Sequence, residues 1–146
     1  MTAVDTNLLV YAHREDSPWH GAARQRLRDL AQAALPWAIP WPCIHEFLSV
    51  VTSPRVFSEP TPLVLALSQV EAWMESPSLH LIGEGPSHWA RLRSTLETGS
   101  IVGAKVHDAR IHAMCRDQGV TVLWSADRDF NRFQGLQVVN PLLARR

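Results

Sequence analysis

Five acids fall where a chain would need them to bind a cation. Asp5 closes the opening run MTAV. Glu46 sits in a stretch whose neighbours are largely apolar, among them Cys43, Ile44, Phe47 and Val50. Asp108 falls in the first turn of a helical pattern, and Asp127 and Asp129 follow the apolar run VTVLW within a few residues. Each has an ordinary use: a carboxylate after a strand closes a turn or caps a helix, and an acid in a first helical turn complements the helix dipole. Gathered in one pocket, Asp5, Glu46, Asp108 and Asp127 would repel one another, at about 4 kcal/mol for a pair 4 Å apart in an effective dielectric of about 20. A hard divalent ion removes that conflict. Mg²⁺ suits all-oxygen donors, takes one or two carboxylates directly and reaches others through water. Next to a phosphodiester such an ion polarises the phosphoryl oxygen and acidifies a bound water. Acids with no paired cysteine or histidine nucleophile fit metal-assisted phosphodiester hydrolysis better than acyl transfer.

These acids lie far apart in the chain, so the fold must bring them together. The pattern predicts strands at 1–5, 37–39, 79–82, 120–124 and 137–139, and helices at 6–12, 19–34, 42–52, 62–75, 87–98 and 107–118. In the 19–34 segment Ala23, Leu27, Leu30, Ala31 and Ala34 recur at helical spacing. Gly119 is placed to end the 107–118 helix. Strands alternating with helices argue for an α/β fold, a parallel sheet with helices on both faces. Ligands of such sheets sit beyond the carboxyl ends of the strands, where Asp5 and Asp127 fall.

With 146 residues, the chain is expected to form a single domain, 1–146, that buries a core without staples. Hydrophobic residues make up 46% and charged residues 19%, which excludes a disordered chain. Fourteen Lys and Arg balance fourteen Asp and Glu, so the chain is not a polybasic binder, although a local basic groove is compatible with zero net charge. Cys43 and Cys115 have neither CxxC nor Cys/His spacing and are expected to pack as small apolar residues. No apolar run approaches the roughly 18 residues of a membrane span, and no charged-then-apolar leader opens the chain. The expectation is a cytoplasmic protein with no membrane association.

Four segments, VDTNLLVYA, HEFLSVVTSP, HDARIHAMCRDQG and WSADRDFNRFQGLQVVNPL, occur in an order and spacing that cover nearly the whole chain. Together they resemble the four motifs of PIN-domain ribonucleases, and most closely the VapC-like toxins of toxin–antitoxin modules. The resemblance implies a PIN-like three-layer α/β/α domain with a short central parallel sheet. It implies dependence on Mg²⁺ or Mn²⁺ and endonucleolytic cleavage of RNA, with tRNA or ribosomal RNA as the expected target. It further implies a homodimer and a cognate antitoxin. By position, Asp5, Glu46, Asp108 and Asp127 match the acidic quartet, with Asp5, Asp108 and Asp127 as metal ligands. Asn7 and Ser125 match supporting polar positions, and Asp129 is a second acid able to share the role of Asp127. The antitoxin is expected in a groove walled by the 42–52 and 62–75 helices. The alternatives are a PIN-type nuclease of RNA maturation without a toxin role, and a non-catalytic protein-binding module whose acids are only caps and turns.

Other residues rank lower. His45 and His107 read as surface histidines beside acids. Trp37, Trp73, Trp89 and Trp124 read as core, and Trp19 and Trp41 as core or dimer packing ahead of base stacking. Arg14, Arg110, Arg128 and Arg132 lie near the acids in sequence and are candidates for phosphate contact.

Overall fold

A computed structural model describes residues 1–127 and 133–143. The chain runs β1 (Thr2–Val4), α1 (Thr6–His13), α2 (His20–Gln32), β2 (Trp37–Pro40), α3 (Trp41–Val51), α4 (Leu63–Met74), β3 (Leu79–Ile82), α5 (His88–Gly99), α6 (Lys105–Asp117), β4 (Val122–Trp124) and β5 (Gln137–Val139). The strands form one sheet in the order β3-β2-β1-β4-β5, with every neighbouring pair parallel. Right-handed crossovers from β1 to β2 to β3 place α1–α4 on one face. The return from β3 to β4 places α5 and α6 on the other, giving the expected three layers.

The central strands are covered on both faces and are correspondingly apolar, while the edge strands β3 and β5 carry the exposed His80 and Gln137. Ala3, Val4, Trp37, Ala38, Ile39 and Leu123 are fully buried. From the helical side α1 contributes Leu8 and Leu9, α3 contributes Cys43, Ile44, Phe47 and Val51, and α6 contributes Ala109, Met114 and Cys115. Both cysteines are buried and free, as their spacing predicts. Gly119 takes φ +78°, and Val120 N donates to Cys115 O at 2.9 Å. Those are the left-handed residue and six-to-one bond that close a helix with glycine. No helix among the described residues is long and apolar enough to cross a membrane.

One expectation about apolar side chains fails. Trp89 is 67% exposed rather than core. It lies one turn before Leu92 and two turns before Leu96, the α5 residues that meet the core, and α5 has no fully buried residue. Trp19 and Trp41 also stand exposed and are not core residues. In addition, α3 turns its apolar stripe inward, so it offers no broad apolar wall to a groove, whereas α4 buries Ala66, Val70 and Trp73 and still exposes Leu63, Val64, Leu65 and Leu67.

Strand order decides where a ligand can bind. It reverses between β1 and β4: one half of the sheet continues outward from β1 and the other from β4. That switch point opens a crevice beyond the carboxyl ends of these two strands.

Candidate active site

Asp5 and Ser125 occupy that crevice because the register places them there. Val4 pairs with Trp124, and Asp5 N donates to Trp124 O at 2.9 Å, so the residues that follow stand side by side. Asp5 is also the N-cap of α1, its Oδ1 accepting from Thr6 N at 2.8 Å. The capping use and the candidate ligand therefore coincide in one carboxylate. Its Oδ2 accepts from Ser125 Oγ at 2.8 Å and from Asn7 Nδ2 at 3.3 Å. Cys43 Sγ lies 3.6 Å from Oδ1, and burial pushes that thiol well above its ordinary range, so it remains a donor.

Asn7 and Ser125 act as a clip. Asn7 Oδ1 accepts from Ala126 N at 3.1 Å, and Asn7 Nδ2 reaches Ser125 Oγ at 3.2 Å. Ser125 Oγ accepts in turn from Asp127 N at 3.0 Å. One hydroxyl thus orients the Asp5 carboxylate and fixes the turn that carries Asp127. Supporting positions expected from the sequence are hydrogen-bonded to the acids they were expected to support.

Glu46 projects from α3, where its Oε2 accepts from Thr6 Oγ1 at 3.1 Å. Asp108 lies in the first turn of α6, with Lys105 Nζ at 3.9 Å. Asp5, Glu46, Asp108 and Asp127 all line one cavity of about 280 Å³, together with Asn7 and Tyr11. A second cavity of about 380 Å³ shares Asp5, Glu46 and Asp108 and continues past His45 and His107 to Arg110. The fifth acid, Asp129, lies outside the described residues, as do Arg128 and Arg132.

Burial first, and neighbouring charge second, perturb these side chains. Burial, more than any neighbour, raises Asp5 from 3.8 to about 6, and the Glu46 charge adds to the rise; the Ser125 and Thr6 hydrogen bonds oppose it. Burial also raises Asp108, helped by the charges of Asp127 and Glu46 and opposed by Lys105. A crowded, partly desolvated set of carboxylate oxygens is the donor chemistry a hard divalent cation takes. As placed, no group of three or more acidic, histidine or cysteine side chains among the described residues is gathered tightly enough to enclose an ion.

Some contacts were invisible in sequence. Thr6 holds Glu46, and its only signal was a hydroxyl between Asp5 and Asn7 at the start of α1. Arg14 moves the other way: it pairs with Asp16 at 2.6 Å, reaches Glu59 O and covers Phe57, and it lines neither acidic cavity. His107 and Arg110 line the second cavity, and Arg110 is paired with Glu84.

Known proteins resemble this chain in sequence and in fold. The PIN domain family matches residues 2–136. The VapC ribonuclease Mb2897 of Mycobacterium bovis is 37% identical over 142 residues, covering 97% of this chain and 96% of the relative. VapBC2 of Rickettsia felis, solved bound to a DNA fragment from its promoter, superposes with a TM-score of 0.66 at 18% identity, covering 94% of this chain and 96% of that one. A toxin-antitoxin complex from Klebsiella pneumoniae superposes at 0.60 with 17% identity, covering 97% and 98%. This chain belongs to the PIN domain family, among its VapC-like members.

Proposed function

We propose that the protein is a metal-dependent endoribonuclease that acts as the toxin of a toxin–antitoxin module. The observation that carries this reading is the meeting of Asp5, Glu46, Asp108 and Asp127 in one cavity at the switch point of the sheet. Relatives over the whole chain that are named ribonucleases support it. Asp5, Asp108 and Asp127 would hold Mg²⁺ or Mn²⁺, with Glu46 completing the acidic set. When bound, the ion supplies phosphoryl polarisation and a more acidic water. The chain's own residues do the positioning: Ser125 and Asn7 orient Asp5, the same pair fixes Asp127, and Thr6 holds Glu46 at the rim. A structured RNA such as tRNA or ribosomal RNA is the proposed substrate.

The antitoxin is assigned to the exposed apolar face of α4. Leu63, Val64 and Leu65 stand more than half exposed, beside a groove that Leu65 shares with His13, Arg14 and Pro62. Toxin-antitoxin complexes among the structural neighbours support a partner of this kind. A homodimer is part of the same proposal, and light scattering tests it.

The experiment is cleavage of total RNA by the purified protein. Cutting is expected in Mn²⁺ or Mg²⁺, with none in EDTA and none from Asp108→Asn or Asp127→Asn variants that melt like the wild type. Equal cleavage in EDTA, or by either variant, would contradict the reading. Growth arrest on expression, relieved by the antitoxin, tests the toxin role.

A further inference from the structure

The two cavities that share the acids differ in what else they offer. The arm along α1 is walled by Val10, Tyr11 and Val50. The arm between α3 and α6 carries His45, His107 and Arg110. His45, which lines that second arm, stacks on Trp41 one turn before it on α3, with ring centroids 6.1 Å apart and planes inclined by 29°, so that Trp41 extends the aromatic surface outward from the cavity. Trp41 is 39% exposed and His45 is exposed too, in a chain that fully buries Trp37 and largely buries Trp73. The strand end at Gly83 backs the indole, since a Cβ there would meet Trp41 Cδ1 at 3.6 Å.

We infer that Trp41 and His45 form a stacking platform for an unpaired RNA base beside the scissile phosphate, with Arg110 serving the backbone. The inference rests on the ribonuclease reading and adds the subsite through which the strand is held. Charge explains why such a platform is needed. Net charge is zero, and the carboxylates repel phosphates, so affinity cannot come from overall potential. Stacking uses the neutral face of a base and is indifferent to that repulsion. Trp41 lies five residues before Glu46, about 7.5 Å along the helix axis and about 140° around it. The stacked base therefore belongs to a nucleotide other than the one being cut. Unpaired bases splayed onto aromatic side chains are a usual way for proteins to read RNA.

The test measures the affinity of the full chain for a labelled, mixed-sequence, unstructured oligoribonucleotide library and for a fully abasic oligomer of equal length. Ca²⁺ replaces the active ion, and cleavage of total RNA in Mn²⁺ is scored on the same preparations. The wild type is expected to bind the base-bearing library roughly 5- to 20-fold more tightly than the abasic oligomer. Trp41→Ala removes most of that preference without changing the salt dependence, and Trp41→Phe keeps it to within about threefold. Arg110→Gln instead shallows the salt dependence for both oligomers. If Trp41→Ala proves unstable, Trp41→Phe and the wild-type preference still decide. Equal affinity of the wild type for both oligomers, or a Trp41→Ala protein as selective as the wild type, overturns the inference. Cleavage that persists in either case leaves the ribonuclease reading standing, while its absence with the preference intact overturns that reading alone.

Discussion

Replacing Asp5 by Asn should make the metal-free protein more stable at neutral pH. Asp5 is 8% exposed, and folding raises its carboxyl from 3.8 to about 6. The folded state therefore holds the proton more tightly than the unfolded chain. Stability from this group is fully present below pH 3.8 and is lost as the pH rises through about 6. The gap corresponds to about 3 kcal/mol of destabilisation once the carboxylate is ionised. An asparagine carries no charge to desolvate, but it turns one acceptor into a donor facing Ser125 Oγ and Asn7 Nδ2. Ser125 can reorient its hydroxyl; Asn7 cannot, which costs about 1 kcal/mol. Urea unfolding in EDTA, followed by tryptophan fluorescence from about pH 4 to about pH 7.5, should show the variant about 2 kcal/mol more stable at the upper end and slightly less stable at the lower end. A variant less stable than the wild type throughout, or a difference that ignores pH, would refute the argument that burial of this charge is what perturbs it.

Three further outcomes follow from the same contacts. Ser125→Ala removes the donor to Asp5 and the acceptor for Asp127 N, so it should cost about 1–3 kcal/mol in chemical unfolding and lower RNA cleavage about 10- to 100-fold. Phe47→Ala removes a fully buried ring that meets Trp73 edge-on at 4.8 Å and His13 at 5.3 Å, so thermal or urea unfolding should show a loss of about 3–5 kcal/mol. Burial lowers His112 from 6.5 to about 4, so the stability its neutral ring provides is present above pH 6.5 and lost as the pH falls through about 4. His112→Leu should flatten that acid limb of the stability curve, and an unchanged limb would assign the acid sensitivity to other groups.

The acids that line the candidate cavity were easier to read from the sequence than their surroundings. Asp5 was legible because an acid closing an apolar run so near the start of the chain must stand at the end of a buried strand. Asp127 was legible because VTVLW is strongly β-forming. The element pattern held, with edges moving by two residues or so: α6 begins at Lys105 rather than 107, and β4 pairs from Val122 rather than 120. Strand order was not legible, and it is what places Ser125 beside Asp5 across 120 positions. The bond from Thr6 to Glu46 depends on how α1 lies against α3, which periodicity does not specify. Trp89 was misread because its spacing to Leu92 and Leu96 matches a buried stripe, while the core does not extend to the start of α5. For the same reason the stripe on α3 showed an apolar face without showing that the sheet uses it.

The central claim is that Asp5, Asp108 and Asp127 share one divalent cation. Crystals soaked in Mn²⁺ and measured near the manganese absorption edge test it most directly. An anomalous peak within coordination distance of these three carboxylates, lost in Asp108→Asn crystals soaked alongside, is the result expected. Crystals of protein that cleaves RNA in Mn²⁺, but with no peak among these acids, would contradict it.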